Sequence, residues 1–351
     1  MTCEECDKCK ALGYRFCVRC GQDLSADAEV PEYRIESKKS DIFISAVVPS
    51  VPVIAIGIVL CALIILFNFG ATLDYAGTAT AKIYVYFFAN ITLGVVSGTS
   101  AQIYWLIIAA ILIACSIVFL YDSREALRID KPDYIERSSS TPLFWLAMLL
   151  GSTILIEIVI TLLMASAGID TSVPSSLLNL DLDKAIFLFG SAAAYEEIAF
   201  RLIPFGIPMM IAAAIYGRKD CWRFLFGGFG VSKLSVVLMI IVTMNFAYAH
   251  VSGWGWWKIV TVAIGGFVMT YLYMRFGIHA SIMAHMITDM MTTWGMGAGA
   301  FGSLMMALLL FFGMLCIPIL FIKTWDGIRN VKNLPTTGLT EEIQEDESNM
   351  D

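Results

Sequence analysis

Eight stretches of this sequence, at about 42–69, 101–121, 141–166, 184–203, 234–251, 256–275, 277–295 and 303–323, are long and apolar enough to cross a lipid bilayer. A hydrocarbon core of roughly 30 Å is spanned by about 20 helical residues. Lipid offers the backbone no hydrogen bonds, so such segments fold as helices. Composition agrees. Hydrophobic residues make up 58% of the 351 and charged residues 15%, against about 25% charged in a soluble chain. A soluble globule cannot hide that much apolar surface. The expected fold class is therefore an all-α polytopic membrane protein of about eight transmembrane helices. The net charge of −7 argues against a nucleic-acid partner, which would call for a basic face.

The stretch 83–97 is short and holds Asn90 and Thr92. Basic residues cluster in the first 41 residues, in the 122–140 loop (Arg124, Arg128, Lys131, Arg137), in the 217–233 loop (Arg218, Lys219, Arg223, Lys233) and after the last span (Lys323, Arg329, Lys332). With eight spans all four fall on the cytoplasmic side, as positive-inside counting requires. A ninth span at 83–97 would break that rule, so 70–100 is expected to be an external loop or interfacial helix. The protein is thus expected to be multi-pass in the cell membrane, with both termini cytoplasmic. No apolar region follows Met1 as in a signal peptide. The expected organisation is a cysteine-rich module at 1–24, a linker at 25–41, an N-terminal transmembrane region at 42–140, a core at 141–295, a final helix at 296–323 and an acidic, disordered tail at 324–351.

Ionisable residues at membrane depth cost a few kcal/mol each and are functional candidates by default. Here they are Glu157, Glu196, Glu197, Arg201, His250, His285 and Asp289. Glu197 and Arg201 stand four apart on one helix face, suited to a structural ion pair. Glu196 is offset by about 140° from Arg201 and is left free to face a cavity as a general base. His250 lies four residues after Phe246, and His285 four before Asp289, each pair on one face. A neutral histidine can accept a proton, orient water or bind a metal. His279 falls about 240° round the helix from His285 and is expected to be interfacial. Glu157, midway along the third span, is either a second partner for Arg201 or an additional participant. Depth is a difficulty: His250 lies about 25 Å along its helix from Lys233, and Glu196 about 18 Å from Lys184 in the opposite sense. They meet only if helices tilt, if the fifth span begins late, or if Pro204 and Pro208 mark a broken fourth helix.

Glu196-Glu197-Ile-Ala-Phe-Arg201, Phe246-Ala-Tyr-Ala-His250 and His285-Met-Ile-Thr-Asp289 resemble the three motifs of the CAAX protease and bacteriocin-processing (CPBP) family of intramembrane endopeptidases, which includes the type II CAAX prenyl proteases. The resemblance covers roughly 141–295. It implies a glutamate-dependent peptidase in which Glu196 and His250 activate water, His285 and residue 289 stabilise the oxyanion, and Glu197 and Arg201 are structural. Its implied substrate is a membrane-embedded or lipidated, for example prenylated, peptide. The stricter family pattern has Asn at the last position. An ionised Asp289 cannot donate a hydrogen bond, so it must be protonated, or orient His285, or the step differs here. A catalytic metal on Glu196, His250 and His285 is the second-ranked alternative.

Five of the nine cysteines fall in the first twenty residues. CEECDKC followed by FCVRCG resembles a zinc ribbon, in which two CxxC knuckles supply four thiolates to a structural Zn2+. Cys17 and Cys20 form the second knuckle. The first is Cys3/Cys6 or Cys6/Cys9; the ten-residue gap before Cys17 favours Cys3, Cys6, Cys17 and Cys20 as ligands. A reduced thiol site suits a cytoplasmic N-terminus, and the ribbon is a candidate docking module for a cytosolic protein. The ribbon-plus-membrane layout suits a prokaryotic source. Two rival functions are a non-catalytic membrane scaffold or immunity protein on the same fold, and a proton-coupled transporter using Glu157, Glu196 and Asp289.

Overall fold

The computed structural model describes residues 4–11, 17, 24, 46–128 and 134–337. The expected linker at 25–41, the tail beyond residue 337 and both Cys3 and Cys20 lie outside the described residues. A short helix α1 (Glu4–Ala11) carries Cys6 and Cys9. The membrane body begins with α2 (Ser50–Phe67). Pro49 and Pro52 fall at its start, where helix N–H groups have no acceptor to lose.

Among the described residues seven helices are long and apolar enough to cross a membrane: Ser50–Phe67, Thr99–Asp122, Pro142–Ser166, Leu182–Ile215, Lys233–Trp254, Lys258–Phe276 and Ile278–Asn333. The protein is a multi-pass, mostly helical membrane protein. The difference from the eight expected lies in the last helix. The expected seventh and eighth spans are two arms of one element that bends at Gly299 (φ 56°, ψ −131°). A Cβ on Gly297 would touch Ile64 near one end of α2, whereas Cys316 faces the Ala46 carbonyl before its other end. The arms therefore run in opposite directions. The reversal is tight: a Cβ on Gly302 would sit 2.0 Å from the Trp294 carbonyl oxygen.

The expected loop or interfacial helix at 70–100 is a short helix α3 (Phe69–Thr78) followed by a β-hairpin. Strand β1 (Thr80–Tyr86) pairs antiparallel with β2 (Asn90–Ser97), with a register shift between Ile83 and Tyr84. The all-α expectation needs this amendment. The residues are β-branched and aromatic (Ile83, Tyr84, Val85, Tyr86, then Ile91, Thr92, Val95, Val96), a composition that favours strands, in segments too short to span.

Next come α4 (Thr99–Asp122), a short α5 (Tyr134–Ser139) and α6 (Pro142–Ser166). The Thr141 hydroxyl accepts from Phe144 N and Pro142 occupies the first helical position, which together fix where α6 starts. The fourth crossing is α7 (Leu182–Glu197), a π-helical segment Ile198–Gly206 and α8 (Ile207–Ile215). Then follow α9 (Lys233–Ala249), a single turn α10 (Val251–Trp254), α11 (Lys258–Phe276) and the bent α12 (Ile278–Asn330). A Ser232/Ser235 capping box starts α9. The main core lies between α2, α4, α6, α7 and α12, with Trp105 and Trp294 fully buried. Trp294 Nε1 donates to Cys61 Sγ at 3.2 Å.

The segment expected as a tail from residue 324 is ordered as far as it is described. Helix α12 continues through Asn330, and Lys233 N and Leu234 N donate to Pro335 O and Thr336 O at 2.9 and 3.1 Å. These are N–H groups of the first turn of α9, which have no acceptor within the helix.

Helices α6 and α12 approach through glycine. A Cβ on Gly313 would lie 2.3 Å from the carbonyl carbon of Gly151. Small residues let backbones meet in lipid, where van der Waals contact drives helix association. Gly313→Val is expected to lower stability by about 1–3 kcal/mol, the cost of overpacking, in thermal unfolding of the detergent-solubilised protein. Gly327→Val, with open space around it, should leave the transition unchanged.

Candidate active site

The polar residues of the three sequence clusters converge. Glu197 is wholly buried and holds three partners: Arg201 Nη1 at 2.8 Å, His285 Nδ1 at 2.7 Å and the Ser281 hydroxyl. Arg201, also 0% exposed, lies 4.2 Å above the Phe246 ring centroid and near Thr270 Oγ1 and Met269 Sδ. The pairing of Glu197 with Arg201 follows the helical spacing. Its bond to His285 does not. It makes Glu197 the group that orients the imidazole, and not a packing element alone.

With Nδ1 held by Glu197, His285 turns Nε2 to the opposite side. There it stands 3.8 Å from Glu196 Oε2 and 3.4 Å from Asp289 Oδ2. The Glu196 side chain is 17% exposed and Asp289 26%, against 0% for Glu197. Glu196 is therefore the open carboxylate of the pair, as its offset on the helix predicts. It interacts electrostatically with His250, His285, Asp289 and Arg201.

His250 caps the C-terminus of α9 and its Nδ1 lies 2.9 Å from Phe246 O. A carbonyl only accepts, so the proton of that bond is on Nδ1, and in the neutral imidazole Nε2 carries the lone pair. The Phe246 ring touches both histidines, with centroids 4.8 Å from His250 and 6.0 Å from His285, and packs edge-on to Phe200 at 5.1 Å. One aromatic ring thus spaces the two imidazoles and covers the arginine. His279 stands apart, 3.3 Å from Asp122 Oδ2.

The depth difficulty resolves through the fourth crossing. At 1.5 Å per residue its 34 residues reach about 51 Å, well beyond a bilayer core. The level at which α9 ends thus falls partway along it, beside Glu196. Pro204 does not break the helix. It lies inside the π-helical segment that starts directly after Glu197 and carries Arg201. Proline removes a donor and crowds the preceding turn, and a wider turn accommodates both. Such π segments recur at functional sites.

Several site residues carry no motif. Tyr195 OH bonds to both the N–H and the carbonyl of Tyr84, and Asn245 accepts from Phe88 N at 2.6 Å while donating to Tyr86 O at 2.9 Å. These two side chains fasten the hairpin over the site by the backbone of β1 and the turn. The Tyr84 ring packs on Tyr195 and the Tyr86 ring on Phe200. Burial, and next the neighbouring Glu196, push the Tyr84 phenol well above the ordinary tyrosine range, so it stays protonated. Asn245, 1% exposed within an apolar stretch, was the detectable signal. Nothing in the sequence tied 84–88 to it.

At the N-terminal end, Cys6, Cys9 and Cys17 are buried together with Leu24 and pack against Val231, just before α9. Among the described residues no set of three His, Cys, Asp or Glu side chains is grouped to hold a metal ion.

The fold and this constellation define a helical membrane protein in which carboxylates and imidazoles gather at membrane depth. Residues 180–291, from α7 to the first arm of α12, match the family profile described as type II CAAX prenyl endopeptidase, Rce1-like. That segment holds all three motifs and supports the CAAX protease family, a family of membrane endopeptidases. No curated protein and no solved structure matches the chain.

Removing Arg201 would take the guanidinium from Glu197 and leave the buried carboxylate only His285 and Ser281, where water cannot reach it. Arg201→Met is expected to cost about 3–5 kcal/mol of stability, measured by thermal unfolding, and Glu197→Gln in the same chain should recover part of it.

Proposed function

We propose that the protein is an intramembrane, glutamate-dependent endopeptidase acting on a membrane-associated peptide, with a prenylated C-terminus as the substrate class. The observation that carries this reading is Glu196: a carboxylate left open, facing His285 Nε2 and close to His250, inside the segment that matches the family profile. Glu196 takes a proton from a water that His250 Nε2 orients, and the hydroxide adds to the scissile carbonyl carbon. The carbonyl oxygen gains the negative charge. His285, held by Glu197, presents Nε2 to that oxygen, and Asp289 steadies the same nitrogen. Collapse of the tetrahedral intermediate breaks the C–N bond, and the proton on Glu196 passes to the leaving amine. Glu197 and Arg201 position these groups without touching substrate.

Glu196→Gln keeps the shape of the side chain and removes the base. Cleavage of a fluorogenic prenyl-peptide in proteoliposomes should fall by about 100- to 10,000-fold, with unfolding temperature retained. Undiminished turnover would refute the mechanism, and an in vivo role surviving the substitution would favour a scaffold.

In the same reading both termini face the cytoplasm, and the N-terminal cysteines hold one structural zinc ion that fastens a partner-binding module beside the 217–233 loop. The ten-residue gap before Cys17 supports Cys3, Cys6, Cys17 and Cys20 as its ligands, with Cys6/Cys9 as the alternative first knuckle. The full-length protein should contain one zinc per chain by mass spectrometry. Cys3→Ser is expected to lose it and Cys9→Ser to keep it; the opposite result puts Cys9 in the ligand set in place of Cys3.

A further inference from the structure

Three arginines are buried among the described residues, and only two of them have a carboxylate. Arg201 pairs with Glu197 at 2.8 Å, and Arg218 with Asp220 at 3.0 Å. Arg275, 7% exposed, forms no ion pair among the described residues. Its Nη1 donates to the Tyr271 hydroxyl at 2.8 Å. Its Nε is enclosed and has no acceptor; Nη2 is likewise unbonded but not enclosed. A guanidinium carries five N–H donors in a planar fork, so most of this one has no acceptor in the described protein. A buried cation is stable only when it is paired and hydrogen-bonded.

Arg275 is the penultimate residue of α11. That helix starts beside Trp254 and Trp257, and its 19 residues rise about 28 Å, which brings Arg275 to the opposite headgroup level. The 217–233 loop borders this end: Gly228 N and Gly230 N donate to Tyr273 O and Met274 O at 2.9 and 2.8 Å. The 122–140 segment borders it too, through Trp145 Nε1, which donates to Ser139 O at 2.7 Å. The Trp145 ring centroid lies 3.8 Å from the guanidinium carbon and 5.7 Å from the Tyr271 ring. Trp145 and Tyr271 are themselves half-buried, so the pocket sits at the protein surface between α6 and α11. The C-terminal end of α11 favours a cation at this position, yet it leaves the N–H fork unbonded.

An arginine fork stacked on an aromatic ring is suited to phosphate, whose oxygens accept in pairs. Cationic pockets between helices at headgroup depth take lipid phosphates. We infer that Arg275, Trp145 and Tyr271 form a binding site for the phosphate of an anionic phospholipid headgroup, in the leaflet that the 122–140 and 217–233 loops border. The phosphate oxygens accept from Nη2 and the remaining Nη1 N–H, and the acyl chains run down the groove between α6 and α11. A zwitterionic headgroup brings a cation of its own and leaves the charge of Arg275 uncompensated; an anionic one neutralises it. The site lies apart from the Glu196 cluster and stands whether or not the peptidase reading does.

The test uses the full-length protein in a neutral detergent, titrated with phosphatidylglycerol or phosphatidylcholine. Binding is read by native mass spectrometry and stability by thermal unfolding. Phosphatidylglycerol should raise the unfolding temperature and bind about tenfold more tightly than phosphatidylcholine. Arg275→Met should weaken phosphatidylglycerol binding by about tenfold and abolish the rise. Without lipid the same variant should unfold no lower than the parent, because it removes an unpaired buried charge. Arg275→Lys keeps the charge and loses the fork; its binding should fall by about threefold to tenfold, and it decides the matter if Arg275→Met does not fold. Lys219→Met, at an exposed position of the 217–233 loop, should stay within about twofold of the parent. Parent-like lipid binding by either Arg275 variant would overturn the inference and make Arg275 a packing element. An equal rise with inorganic phosphate alone would assign the pocket to a free ion and overturn it as well.

Discussion

Glu197 is the interaction on which the rest of the site depends. A carboxylate with no exposure survives at this depth only if its lone pairs are filled, and Arg201, His285 and Ser281 fill them. The three partners come from different places: one turn along the same chain, and two points four residues apart on the first arm of α12. Glu197 therefore joins the fourth crossing to α12 and, in doing so, fixes the direction of the His285 ring. The π-helical turns that follow it keep Arg201 within reach while accommodating Pro204.

Around that hub, glycine and aromatic residues set the distances. Gly265 and Gly266 are adjacent on α11 and face two different neighbours. The first admits Glu157; a Cβ on the second would press on Phe246 and Thr243 at 3.1 Å. Phe246 separates the histidines and shields the guanidinium. The hairpin closes the outer part of the site through backbone groups that Tyr195 and Asn245 satisfy, so its strand β1 presents no unpaired edge at Tyr84.

Much of this was legible in the sequence because lipid makes the signals strong. Apolar length located the crossings, and ionisable residues in apolar runs located Glu196, Glu197, Arg201, His250, His285 and Asp289. Helical periodicity separated the open glutamate from the paired one. What was not legible depends on tertiary placement. The tight reversal at Gly299 that joins the last two expected spans into one element was hidden, because composition does not register a single positive-φ residue. The hairpin was hidden because a two-stranded ribbon has no strong periodic signature. The bond from Glu197 to His285 spans 88 positions.

The bend at Gly299 has an arithmetical result. By sending α12 back the way it came, it makes the number of membrane passages among the described residues even. The beginning and the end of the membrane-embedded body then emerge on one and the same face. The contacts there agree: Val231 meets the buried thiols from the front of the chain, and Pro335 and Thr336 cap the neighbouring Lys233 and Leu234 from the back. The α9 entry loop is thus the meeting ground for the buried thiols and for residues 335–336.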